Sequence, residues 1–218
     1  MTPPPAQPRG GRQPNPEEGG SPTPRRADGR LLAAEASAET DAETRCRTSR
    51  AVASGAMKIR TATRADAEAI AAIYNHEATR ERTTFDLRPR SVVEQQEWLA
   101  ERFGAHSVIV AVLNGEVVGF ASLSPYRPRP AYNTSVESSV FVRRDSQRRG
   151  IGRALLEHLV ALAAEGGFHS MIARIAGRNE ASVALHARCG FELVGVEREI
   201  GRKFGRWLDC TVMQRLLG

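Results

Sequence analysis

Six residues, Gln147-Arg148-Arg149-Gly150-Ile151-Gly152, carry the clearest chemical signal in this chain. They follow an apolar run, Val140-Phe141-Val142, that reads as a strand, and they open a strongly helical segment from Arg153 to Glu165. A strand feeding a glycine-rich turn and then a helix start is a phosphate-binding geometry. Two glycines let the backbone turn tightly and come close to a ligand. The first amides of a helix have no intrahelical acceptor and sit at the positive end of its dipole, so they favour an anion. Arg148, Arg149 and Arg153 add formal charge at that spot. A P-loop would need a Gly-Lys pair, and the chain has none. A dinucleotide fingerprint would need a small residue where Leu155 stands.

The same residues meet the pattern Gln/Arg-x-x-Gly-x-Gly/Ala in full, and in this the chain resembles the GNAT superfamily of N-acetyltransferases. The resemblance implies acetyl-CoA as co-substrate, with its pyrophosphate on this loop. Acetyl transfer to an amine has three needs. The amine must lose a proton, the thioester carbonyl needs hydrogen-bond donors, and the departing thiolate benefits from a proton. Glu137 is the candidate base. It sits in Ser135-Val136-Glu137-Ser138-Ser139-Val140-Phe141-Val142, a strand set to be half buried, where a carboxylate is unexpected. Burial should raise its pKa towards the working range of a base near neutral pH. A solvated, outward-facing strand residue is the other reading.

Pro125-Tyr126-Arg127-Pro128-Arg129-Pro130-Ala131-Tyr132, followed by Val136 to Val142, is similar to the phosphinothricin and methionine sulfone/sulfoximine N-acetyltransferase family. That resemblance implies a catalytic glutamate at Glu137. It implies coenzyme A contacts at Val140, Phe141, Val142, Arg148, Arg149, Gly150, Ile151, Gly152, Arg153 and Asn179. It places the amino-acid substrate near Phe85, near Arg127, Arg129 and Tyr132, and against Glu137 and Ser138. Two arginines at i, i+2 in a loop can also be read directly, as a bidentate pair for a carboxylate or as a solvated basic loop. His186 stands where many GNAT enzymes carry a tyrosine that protonates the thiolate. The phosphinothricin-type family also has histidine here, which implies proton donation; a structural histidine bonded to backbone is the alternative. The segment Gly201 to Asp209 is basic and aromatic, and the resemblance assigns it to the substrate pocket or to the contact of a homodimer.

The elements that must position these residues read as follows. Lys58 to Ala62 is a strand. Thr63 with Asp66, and Ser91 with Glu94, are capping boxes that open helices ending near Thr79 and Arg102. Val108 to Leu113 and Val117 to Leu123 form a hairpin about Asn114-Gly115. Prolines 125, 128 and 130 mark a loop before the strand Thr134 to Val142. Phe168 to Ile175 is a strand, Glu180 to Arg188 a helix, and Glu192 to Glu199 with Leu208 to Leu216 a final antiparallel pair. The order β-α-α-β-β-β-α-β-α-β-β makes one α/β domain. The resemblance implies a GNAT-type fold: a mixed, mostly antiparallel sheet with a splayed central strand pair, flanked by about four helices.

The first 56 residues read differently from the rest. They hold eight of the 12 prolines, no aromatic residue, and eight arginines against seven acids. Such a segment cannot bury enough apolar surface to offset its ordering entropy, so residues 1–56 are expected to be disordered and 57–218 to be the acetyltransferase domain. Two lysines accompany 29 arginines, which fits translated GC-rich DNA and a start misplaced upstream of Met57. No stretch reads as a signal sequence or membrane span, so a cytoplasmic enzyme is expected. The domain carries 23 basic and 18 acidic residues, a modest excess that coenzyme A phosphates suffice to explain without a nucleic acid. Cys46, Cys189 and Cys210 have no metal-binding spacing, and no metal is expected.

The leading expectation is acetyl-CoA-dependent acetylation of the α-amine of a small amino acid or analogue by direct transfer. A protein or peptide N-terminus is the alternative acceptor. A non-catalytic module binding acetyl-CoA or nucleic acid is a third reading, against which the glycine loop and Glu137 together argue.

Overall fold

The computed structural model describes residues 56–218. The expected disordered extension lies, but for its last residue, outside the described residues. The domain holds seven strands: β1 (Lys58–Thr61), β2 (Ile109–Leu113), β3 (Glu116–Pro125), β4 (Ser135–Val142), β5 (Ser170–Ala176), β6 (Glu192–Lys203) and β7 (Arg206–Leu216). Four α-helices accompany them: α1 (Ala67–Arg80), α2 (Val92–Ala100), α3 (Ile151–Glu165) and α4 (Glu180–Arg188). The sheet runs β1-β2-β3-β4-β5-β7-β6, and every pairing is antiparallel except β4 with β5. This is the α/β fold expected, including the splayed central pair.

Local chemistry explains the element starts. Asp66 accepts the Thr63 amide at 2.7 Å and is gripped by Arg60 at 2.7 and 2.8 Å, which fixes the turn leading into α1. The Arg60 guanidinium holds the Asp66 carboxyl down to about 2. Ser91 and Glu94 satisfy each other's amides at 3.2 and 2.6 Å and open α2. Asn114 and Gly115 both take positive φ, 53° and 85°, as the tight β2–β3 turn requires.

The sheet is covered on both faces. Leu155, Leu156, Leu159 and Ala163 of α3 are fully buried against Leu123, Val136 and Met171. Ile70, Ile73, Tyr74 and Ala78 of α1 pack on Val110 and Phe120, with Phe141 alongside. Side chains therefore alternate along β4. Val136, Ser138, Val140 and Val142 share the α3 face, while Glu137, Ser139 and Phe141 share the α1 face.

The last hairpin is longer than expected. β6 continues past Glu199 to Lys203, and β7 begins at Arg206. Phe204 and Gly205 form the turn, with φ of 50° and 74°. A non-glycine residue in the left-handed region hides this turn from sequence pattern. α3 also starts at Ile151 rather than Arg153, because Gly150 is already its N-cap.

Candidate active site

The central opening follows from one register. β4 and β5 pair only from Ser135 with Ser170 to Ser138 with Ala173. Beyond that point no ladder joins Ser139–Val142 to Arg174–Ala176, so this edge of β4 has no strand partner; the Gln147 side-chain amide donates to the Val142 carbonyl at 3.2 Å. A cleft of about 400 Å³ occupies the gap. Ser138, Val140, Phe141, Val142, Arg148, Gly152, Asn179 and His186 all line it. Eight of the residues expected to serve the site thus converge on one space.

The loop after β4 delivers the start of α3 to this cleft. Gly150 has φ 83° and Arg148 φ 59°. The first helical bond runs from the Ala154 amide to the Gly150 carbonyl at 3.0 Å, which leaves the amides before it for a ligand. No acidic residue stands in that first turn. A Cβ on Gly150 would meet nothing within 4 Å, so glycine is needed there for its backbone conformation and not for space. Ile151 is 2% exposed with its side chain in the core, so only its backbone is available to a ligand. Arg153 is exposed and pairs with Glu157 at 2.7 Å.

Glu137 lies half buried on the α1 face, paired in register with Ser124 and Ile172. Burial raises its pKa, as expected from sequence. Arg174 on β5 pulls it down and Glu197 on β6 pushes it up, but burial is the larger influence. Ser138 faces the other way, and its hydroxyl donates to the Ile172 carbonyl at 3.2 Å. That bond clips β4 to β5 just before they part.

His186 is 5% exposed, with its ring edge-on to Phe191. Its Nδ1 lies 2.8 Å from the Ser182 carbonyl, which makes Nδ1 the protonated nitrogen of the neutral ring. Burial lowers its pKa, with the Ser182 bond opposing. Asn179 caps α4, accepting the Ser182 amide at 3.1 Å.

The expected substrate residues are spread more widely. Arg127 and Arg129 are exposed on the β3–β4 loop, with the Arg127 guanidinium 5.1 Å from the Tyr126 ring centre and 6.0 Å from that of Tyr132. Phe85 lies on the loop between α1 and α2, against Gly201 of β6. None of these four lines the central cleft.

Sequence reasoning passed over two features. Arg144 bridges Glu77 at 3.0 Å and Glu81 at 3.0 Å at the cleft margin. Arg174 lines the cleft and pairs with Glu197 at 2.5 Å. Arg174 had the signal that singled out Glu137, a charge inside the apolar strand Ser170–Ala176.

A sheet split between two parallel strands, a glycine-rich loop with free helix amides at the end of one strand and a half-buried carboxylate on the same strand define an acyltransferase of the GNAT class. Residues 59–212 match the acetyltransferase (GNAT) domain family, and the chain belongs to it. It is 42% identical over 166 residues to a phosphinothricin N-acetyltransferase of Streptomyces coelicolor, covering 74% of this chain and 96% of that one. It is 39% identical over 158 residues to an L-methionine sulfoximine/L-methionine sulfone acetyltransferase of Pseudomonas aeruginosa, covering 72% and 92%. The Salmonella typhimurium protein yncA, solved with its cofactor acetyl-CoA, superposes with a TM-score of 0.73 at 38% identity over 75% of this chain and 95% of its own. A ribosomal-protein-alanine N-acetyltransferase of Brucella melitensis superposes at 0.72 with 40% identity, over 73% and 99%.

Proposed function

We propose that the protein transfers an acetyl group from acetyl-CoA directly to the α-amine of a small amino acid or analogue of the methionine sulfone, methionine sulfoximine or phosphinothricin type. The observation that carries this is the half-buried Glu137, one residue before the last β4–β5 pair, with its pKa raised, on the strand that leads to a helix start free of acids. Acetyl-CoA supplies the activated acyl group. Glu137 takes the amine proton, directly or through a water, and the new C–N bond forms as the C–S bond breaks. Free amides on the β4 edge near Val140 polarise the carbonyl. Arg148, Gly150, Gly152 and the first α3 amides hold the pyrophosphate. Phe85, Arg127, Arg129 and Tyr132 form the outer acceptor wall. His186, in its charged form, supplies a proton to the departing thiolate.

The names of the Streptomyces and Pseudomonas relatives support the small-molecule acceptor. The Brucella neighbour's name supports a protein N-terminus instead. One assay separates the two: acetylation of an amino-acid panel, of the corresponding methyl esters, and of alanine-starting peptides. Preference for free amino acids is expected, and preference for peptides would replace this reading with the second.

The domain is proposed to be residues 57–218, and a chain starting at Met57 should keep its Tm and activity; a fall of several degrees on truncation would contradict this. A homodimer is proposed on the exposed apolar side chains of edge strand β6, Leu193, Val194, Val196 and Ile200. A cytoplasmic location is also proposed; no described helix is long and apolar enough to cross a membrane.

A further inference from the structure

Arg174 stands where β4 and β5 part. It is the first β5 residue beyond the last pair, Ser138 with Ala173, and it lines the cleft beside Ser138 and Ser139. Glu137 pairs with Ile172, and Arg174 lies two residues further on, so alternation puts Glu137 and Arg174 on one face of the sheet. Glu197, reaching over from β6, engages one nitrogen of the guanidinium at 2.5 Å, and the buried Cys210 thiol is a further polar neighbour. The pair is open to solvent, with side chains 35% and 37% exposed. Ion pairs this exposed contribute little to stability, so the fold gives no strong reason to keep an arginine in an otherwise apolar strand.

We infer that Arg174 reads the α-carboxylate of the amino-acid acceptor while Glu137 receives its α-amine. An α-amino acid carries a cation and an anion on one carbon. Glu137 and Arg174 present the opposite signs, diagonally across one face, at the point where the strands open. A guanidinium has five donors in a planar fork and takes a carboxylate in bidentate fashion. Glu197 takes one nitrogen of that fork before substrate arrives, competes with the incoming carboxylate for it, and leaves the remaining donors open. The loop arginines 127 and 129 do not line the cleft. This inference rests on the amino-acid reading of the proposed function.

The test measures kcat and KM for L-methionine sulfone and for its methyl ester at saturating acetyl-CoA, in wild type, Arg174→Gln and Glu197→Gln. A lost charge-assisted bidentate contact should raise KM for the free acid about tenfold or more in Arg174→Gln. The KM for the ester and for acetyl-CoA should stay near wild type. Glu197→Gln removes the competing carboxylate, so its KM for the acid should stay at or below wild type while Arg174 remains available. Equal effects of Arg174→Gln on acid and ester, or no effect on either, would overturn the inference while leaving the acetyltransferase reading intact. Wild type that acetylates peptides but neither form of the amino acid would overturn both. Thermal melts identify a variant that has merely lost its fold, and the Glu197→Gln result then decides: a tenfold rise in KM for the acid counts against the assignment.

Discussion

The Nζ of Lys203, next to the β6–β7 turn, donates to the Thr84 carbonyl at 2.9 Å. It also donates to the Glu77 carbonyl at 3.1 Å, and the residue is only 1% exposed. One buried cation thus ties the C-terminal half of α1 and the following loop to the last hairpin. Burial lowers its pKa, and Asp86, Glu77 and Glu81 act in the opposite sense. Phe85 follows Thr84 and lies against Gly201, where a Cβ would fall 2.5 Å from the ring. The loop that carries Phe85 is therefore clamped from both sides.

Replacing Lys203 with Met should loosen this clamp. Each carbonyl left without a donor costs about 1–3 kcal/mol, so Tm should fall. The acceptor KM should rise while acetyl-CoA affinity, measured by calorimetry, stays unchanged. Equal loss of both affinities would show that Lys203 supports the whole sheet and not the acceptor loop.

Glu137→Gln should lower kcat by roughly 10²–10⁴-fold at neutral pH with little change in acetyl-CoA affinity. The deficit should shrink at high pH as free amine appears. Stability should move the other way. A carboxyl whose folded pKa is raised binds more protons folded than unfolded, so stability declines as pH climbs from the ordinary carboxylate range through the raised value. The glutamine variant lacks this cost and should melt higher than wild type at pH 7, with the gap closing in acid. A variant that keeps wild-type kcat at pH 7 would leave Glu137 a structural residue.

At Gly150 the relevant quantity is φ, 83°. A β-branched residue resists the left-handed region by about 1–2 kcal/mol. Gly150→Val should rearrange the loop and abolish acetyl-CoA binding, while α3 and its buried leucines keep the fold. Unchanged affinity in calorimetry would contradict the assignment of this loop to the pyrophosphate.

His186 has its Nδ1 proton committed to Ser182, so it can deliver a proton only when the ring is charged. Its lowered pKa confines that form to acidic pH. His186→Gln should therefore depress kcat at pH 6 and change it little at pH 8. A large loss at pH 8 with an unchanged Tm would mean that the neutral ring acts directly.

Most of the elements were legible because their signals are local. Ser91 and Glu94 lie three residues apart, Asn114-Gly115 is a turn written in two residues, and α3 repeats Leu155, Leu159 and Ala163 at its own period. The glycine-rich turn that opens α3 was legible for the same reason, since six consecutive residues suffice. Glu137 stood out as a charge where the strand pattern called for burial. The β6–β7 turn escaped because Phe204 takes a conformation its residue type does not advertise, and Arg174 escaped although its strand carried the same kind of signal.

By itself, the sequence determined that a strand ends in a glycine-rich turn opening a helix, that a carboxylate sits inside that strand, and in what order the elements follow. Only the tertiary structure decided that β4 and β5, 35 residues apart between Ser135 and Ser170, lie side by side and separate after Ser138. It alone set Glu137, Arg174 and Glu197, from three different strands, on one face, and put Lys203 under the loop of Phe85. Turns, caps and helical stripes are interactions among near neighbours, and residue type encodes them directly. Which strand lies beside which, and where a pairing stops, depends on how the α1 and α3 faces are buried together, and no local pattern records that.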